Sequence, residues 1–393
     1  MALISALSLF ASLHTAQLAV LPAQQAESVT QQVDEKHQKD IDNDVKLGKE
    51  VAEEVKKELP ESDNKEYIDR VQRIGQELAA IADKSIVKVT WGDPRLSPFK
   101  YEFHVLKGDD VNAFSLPGGI IYIYEGCVKF TETDDELAGV LAHEISHAAF
   151  RHIATLRKEQ SKFDIINIPL ILAAIFSKSP DAGNILVGAD LLNRAVGSGW
   201  SVKAEQAADF GGLQFMCKSK YNPVGMLTFM ERLAFKDRGA PDGNYSILQT
   251  HPPTAERARS LMAHLQEYNI PIRRSEVTTS WRAEVLPGEN STVDLWFGKT
   301  KLYTFGGSEA LTRADNSAQA IDQFFDSVPA IYELGVKDGN RIIGQDRLLI
   351  DIAPDDGPNP EQRLEVALSA LKKIVFDINY RLWQNHDRAV GQG

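Results

Sequence analysis

Residues Leu137 to Arg151 read LAGVLAHEISHAAFR. His143 and His147 stand four positions apart, so on a helix of 3.6 residues per turn their imidazoles leave from one face, one turn above the other. Glu144 is rotated from His143 by roughly 100°, which takes it out of that clamp but within reach of a water at the same ion. Two metal ligands and a base at this spacing form the H-E-x-x-H pattern. The helix itself follows from local signals. Thr133 and Glu136 make a capping box, and Asp134 and Asp135 lie at the positive end of the helix dipole. Between Leu137 and Phe150, with histidine counted neutral, Glu144 is the only charged residue. A helix apolar on all sides is buried, and a carboxylate buried in it requires a cation or hydrogen bonds. A zinc ion meets that need. Ala138, Gly139, Ala142 and Ala149 offer a small-residue surface on which another helix can pack closely.

Outward from this helix, a third ligand is expected in the segment Lys203 to Asp209, KAEQAAD. Glu205 completes a His-His-Glu set and leaves the fourth position of a tetrahedral zinc open, as catalysis requires. Asp209, one turn on, suits acceptance of the free imidazole N–H of a ligand histidine. Upstream, Asp40 to Asp83 has apolar residues at helical spacing and is divided by Pro60 into two predicted helices, with Val51, Val55, Val71, Ile74 and Leu78 among the inward positions. Tyr101 to Val105, Asn112 to Leu116 and Ile120 to Tyr124 read as strands, the last two joined by a tight Pro-Gly-Gly turn. Downstream, Pro252 keeps His251 out of a helix, and the next helix opens near Pro253 and runs to about Tyr268.

The chain has 393 residues, room for two or three domains and a substantial core. Its net charge of -12 and lack of a basic run argue against nucleic acid as a partner. Residues 1 to 26 carry no charged side chain, and the apolar stretch ends at Pro22-Ala23 before a polar run. That pattern reads as a secretory signal peptide and places the mature chain in a periplasmic or secreted setting. Phe163 to Phe176 is apolar but too short to span a bilayer and contains Asp164, Asn167 and Pro169. It is expected to be a core or lid helix, with peripheral membrane contact as the alternative, and no transmembrane span is expected in the mature chain. Cys127 and Cys217 each sit in an apolar stretch and read as buried free thiols, although sequence does not decide whether they pair.

The segments NAFSLPGGIIYIYEG, DELAGVLAHEISHAAFRH, EQAAD and THPPTAERA, in that order within roughly residues 40 to 270, resemble one zinc metallopeptidase family. It contains the type I CAAX prenyl endopeptidases, the heat-shock protease HtpX, the mitochondrial Oma-type proteases and soluble periplasmic protease-chaperones. The resemblance implies one Zn2+ per chain held by His143, His147 and Glu205, with Glu144 as general base and Asp209 behind the ligands. It places His251 and Arg257 near the metal, on the oxyanion or substrate, with His251 alternatively blocking the resting site. The strand carrying Asn112, Ala113 and Phe114 resembles the edge to which an extended substrate adds as a further strand. The implied fold is α+β, a zincin-type (gluzincin) domain with a small sheet over residues 27 to 274. The implied activity is endopeptidase cleavage of unfolded or misfolded secreted or envelope proteins, as in protein quality control. A non-cleaving chaperone or binding module that keeps the zinc fold is the rival reading. Prenylated peptides are not expected, because the membrane-spanning helices of the prenyl-protease branch have no counterpart in the sequence.

Past about Arg274 the resemblance stops. Residues 280 to 393 are expected to form a small α/β domain: strand from Leu295 to Phe305, helix from Ser317 to Leu334, strand from Arg341 to Ile352 and an amphipathic helix from Pro360 to Trp383. No catalytic set is evident there.

Overall fold

The structure is a computed structural model that describes residues 34–159, 200–237 and 255–379. The expected leader at residues 1–26, the apolar segment Phe163 to Phe176, the residues after Asp237 as far as Tyr245, and His251 with the two prolines after it lie outside the described residues. All described residues belong to one compact unit.

Helix α1 (Glu35–Glu58) starts where the Asp34 carboxylate accepts from His37 N at 2.8 Å, and it ends at Leu59, just before Pro60. Helix α2 (Lys65–Ala82) is capped by Asn64, which accepts from Tyr67 N, and it buries Val71, Ile74 and Leu78 completely. Strands β1 (Glu102–Leu106), β2 (Ala113–Leu116) and β3 (Ile120–Tyr124) form a sheet in the order β1-β3-β2. The β2 and β3 strands pair antiparallel across Pro117-Gly118-Gly119, and β1 runs parallel to β3. One sheet face packs with α1, through Val51, Val55, Phe114 and Tyr122. The other faces the main core, which collects Phe103, Ile121 and Ile123 with the inward side chains of α2.

That main core surrounds α4 (Asp134–Ala149), which follows the short α3 (Glu125–Phe130) and leads into α5 (His152–Glu159). The Thr133 hydroxyl accepts from Glu136 N as a cap should, but the returning Glu136 carboxylate accepts from Glu132 N, one residue earlier than a capping box requires. Around α4 lie α2, β2, α6 (Trp200–Met216) and α7 (Val224–Asp237). The small-residue surface accounts for the close packing. A Cβ on Gly212 of α6 would sit 3.1 Å from both Ala142 C and His143 N, so this glycine lets α6 approach the backbone of the histidine helix. Helices α8 (Ala255–Glu267) and α9 (Arg274–Val277) complete this part.

The remaining residues build a second core from two antiparallel three-stranded meanders and two helices. The first is β4 (Ala283–Pro287), β5 (Val293–Phe297) and β6 (Thr300–Phe305), followed by α10 (Ala310–Asp326). The second is β7 (Leu334–Lys337), β8 (Arg341–Gly344) and β9 (Arg347–Asp351), followed by α11 (Pro360–Asn379). Three expectations are corrected here. Leu295 to Phe305 and Arg341 to Ile352 are hairpins rather than single strands: the chain reverses at Gly298, with φ 54, and at Gln345 and Asp346, with φ 50 and 63. The helix starts at Ala310 and stops at Asp326, because Val328 takes φ 52 ahead of Pro329. Because every strand pair is antiparallel, this unit is α+β rather than α/β. The two cores are tied by polar contacts: the Glu132 carboxylate accepts from Thr278, from Thr279 N at 2.8 Å and from Ser280, and Arg274 bonds both Glu231 and the Asp326 carbonyl. Cys127 is buried as expected, but Cys217 is exposed, one residue past the end of α6, and both thiols are free.

Candidate metal centre

Helix α4 presents His143 and His147 on one face, and α6, packed across it, presents Glu205 and Asp209 one turn apart. His143 Nε2 and His147 Nε2 lie 3.0 Å apart, and the two Glu205 oxygens lie 3.3 Å from His143 Nε2 and 3.4 Å from His147 Nε2. Among the described residues these three form a cluster able to hold a metal ion. Their spacing tests the fit. Donors about 2.0–2.1 Å from a tetrahedral zinc are separated by about 3.3–3.4 Å, close to what the protein holds. The donor chemistry of two imidazoles and a carboxylate is that of a zinc site that keeps its fourth position open.

Among the described residues at the donors, Glu144, Glu205 and Asp209 are 1%, 4% and 4% exposed, and Arg257 is 5% exposed. Burial would lower the pKa of His143, but the hydrogen bonds to Asp209 and Glu205 push it up to about 10. A divalent metal ion can take the place of that proton. His147 is shifted the other way, because burial outweighs Glu205 and the neighbouring His143 adds to the lowering. Burial would raise Asp209, yet Arg257 and His143 bring it down to about 2.

Behind the donors, His143 Nδ1 lies 3.0 Å from Asp209 Oδ1, the contact expected for Asp209. Arg257, expected near the metal, lines the cleft beside His143 and Glu144. It grips Asp209 with Nε and Nη2 at 2.7 and 2.8 Å and Glu205 with Nη1 at 3.1 Å, so it braces the carboxylates. Two residues escaped the sequence reading. His147 Nδ1 lies 2.8 Å from Nδ1 of His152, whose Nε2 lies 3.1 Å from the Trp91 carbonyl. Arg151, between the two histidines, is buried among Asp44 and Asp93. The one signal for His152 was a histidine directly after the apolar helix, with no periodicity to place it. A cleft of about 470 Å³, part of it open to solvent, adjoins His143 and Glu144 and is walled by Val140, Met226, Phe229, Met230 and Leu233.

Comparison with known proteins agrees with this geometry: residues 69–265, spanning the histidine helix, the Glu205 helix and the Arg257 helix, match Peptidase family M48. The chain belongs to peptidase family M48. Within it, the chain is similar to the beta-barrel assembly-enhancing protease of Yersinia pestis, at 32% identity over 39% of this chain and 32% of that protein. It is likewise similar to the mitochondrial metalloendopeptidase OMA1 of Schizosaccharomyces pombe, at 31% identity over 46% of this chain and 51% of that protein. The chain thus spans about a third to a half of the length of these M48 relatives. Asn112, Ala113 and Phe114 are all buried; the strand β2 contacts α4, and among the described strands it pairs only with β3, which puts it at an edge of the sheet.

Proposed function

We propose that this M48 member is a zinc-dependent endopeptidase of the gluzincin type, with one zinc per chain held by His143, His147 and Glu205. The observation that carries the reading is the convergence of three donor atoms from two helices beside a buried carboxylate, Glu144, at the end of an apolar cleft. Bound there, zinc would supply Lewis acidity toward the scissile carbonyl and acidify the attacking water. The chain's own residues do the rest. Glu144 accepts a proton from that water and returns it to the departing amine. Asp209 takes the His143 Nδ1–H and so keeps Nε2 available to the ion, and Arg257 holds both carboxylates in place. The edge of β2 is the proposed docking line for an extended substrate, alongside α4. His251 is retained as a candidate for the oxyanion or for the resting fourth position.

The proposed substrates are unfolded or misfolded proteins of a secreted or envelope compartment. The uncharged, largely apolar stretch at residues 1–26, read as a leader, supports that compartment, as does similarity to relatives named for beta-barrel assembly and for mitochondrial endopeptidase activity. Among the described residues no helix is long and apolar enough to cross a membrane. Proteolysis of an unfolded protein by the parent, with and without a chelator, and by Glu144→Gln tests the proposal. The glutamine keeps the shape but takes no proton at neutral pH. The variant should stay folded and zinc-loaded and lose about 10²- to 10⁴-fold in rate. A zinc-loaded parent that cleaves nothing would favour the chaperone reading instead.

A further inference from the structure

We infer that His152 is a positioning residue for the metal centre, fixing His147 in the tautomer that leaves Nε2 for the ion; this rests on the metal-centre reading above. The Trp91 carbonyl oxygen only accepts, so the His152 Nε2 that lies 3.1 Å from it carries a hydrogen. In a neutral imidazole the other nitrogen is then an acceptor. That nitrogen, His152 Nδ1, is 2.8 Å from His147 Nδ1, which must therefore be the donor. With its hydrogen on Nδ1, His147 keeps a lone pair on Nε2, the atom that faces His143 Nε2 and Glu205. With an ion in place of the His143 proton, the two histidines are thus held in the same tautomer by different partners, His143 by a carboxylate and His147 by a second imidazole.

The local backbone is built to bring His152 there. Helix α4 ends at Phe150, and Arg151 takes φ 52, a left-handed conformation that a long side chain adopts only when its surroundings hold it. The holding contacts are present. The Arg151 guanidinium bonds Asp44 Oδ2 at 2.5 Å, Asp93 Oδ2 at 2.9 Å and the Asp40 carbonyl at 3.1 Å. This kink turns the chain back so that His152, five positions after His147, lies against it instead of continuing along the helix. The loop carrying Trp91 is pressed onto the same turn. Asp93 N donates to the Phe150 carbonyl at 2.8 Å. A Cβ on Gly92 (φ 117) would come within 2.6 Å of that carbonyl and 2.9 Å of His152 Cδ2. His152 is 2% exposed, so its contacts to His147 and Trp91 are made in the protein interior.

The test uses the full chain with zinc added back after chelation. His152→Phe keeps a ring but has no acceptor, and it should weaken zinc binding about 10- to 100-fold in a chelator competition. His152→Gln offers an amide oxygen to His147 and an amide N–H to Trp91, and its affinity should lie closer to the parent's. Long-range 1H–15N spectra of the zinc-loaded parent, which need no variant to fold, should show the ring hydrogen of His147 on Nδ1 and that of His152 on Nε2. Parent-like zinc affinity in His152→Phe, the reverse order of the two variants, or a hydrogen on His147 Nε2 would each overturn the inference. A parent that binds no zinc would overturn the metal-centre reading as well, which separates the two failures.

Discussion

Replacing Arg257 by methionine removes the guanidinium that joins the two carboxylates of α6. It makes contacts of 2.7 and 2.8 Å to Asp209 and 3.1 Å to Glu205, with all three residues at most 5% exposed. Breaking a buried, hydrogen-bonded ion pair from one side costs about 3–5 kcal/mol. A second route gives a similar figure. Asp209 is held at about 2 against an ordinary 3.8, and such a depression is worth about 2–3 kcal/mol at neutral pH. Burial acts to raise Asp209, and Arg257 leads the groups that lower it. A loss of about 3 kcal/mol is therefore expected in urea unfolding of the chelator-treated protein at neutral pH. The sign with pH follows from the same shift. A carboxylate depressed in the folded state stabilises fully above its unfolded value, and the effect is lost as pH falls through the folded value, here from about 4 toward about 2. In the variant, Asp209 is buried without Arg257, and acid relieves its charge. The gap between parent and variant should therefore narrow on acidification. The double variant Arg257→Met/Asp209→Asn should regain part of the loss, because the amide still offers His143 an acceptor and carries no charge. A loss under about 1 kcal/mol at neutral pH, or a gap that widens in acid, would refute the reasoning.

His143→Ala should lose stoichiometric zinc by metal analysis and all proteolysis with it, in contrast to Glu144→Gln, which keeps its metal. Arg274→Met should destabilise the protein by about 3–5 kcal/mol in the same unfolding assay. Its guanidinium bonds the buried Glu231 at 2.7 and 2.8 Å and the Asp326 carbonyl at 2.9 Å, so the loss should appear without any change in zinc stoichiometry.

What the sequence determined by itself was local. The spacing of His143 and His147, the cap at Thr133 and the all-apolar helix are written within about one or two helical turns, where periodicity alone fixes which side chains share a face. Glu205 and Asp209 were legible for the same reason, as an i, i+4 pair on a second helix, and the small residues of α4 announced its close packing. Past Arg274 the strand stretches were visible, but their reversals were not, because Gln345 and Asp346 adopt left-handed turn conformations that non-glycine residues do not advertise. Only the tertiary structure decided what lies behind the donors. It set Arg257 onto Asp209 and Glu205. It also used Asp40 and Asp44 from α1, with Asp93, to hold Arg151 in a kink that brings His152 against His147. These contacts join residues far apart in the chain. Their geometry is set by how α1, α4, α6 and α8 pack, and no local period in the sequence encodes that.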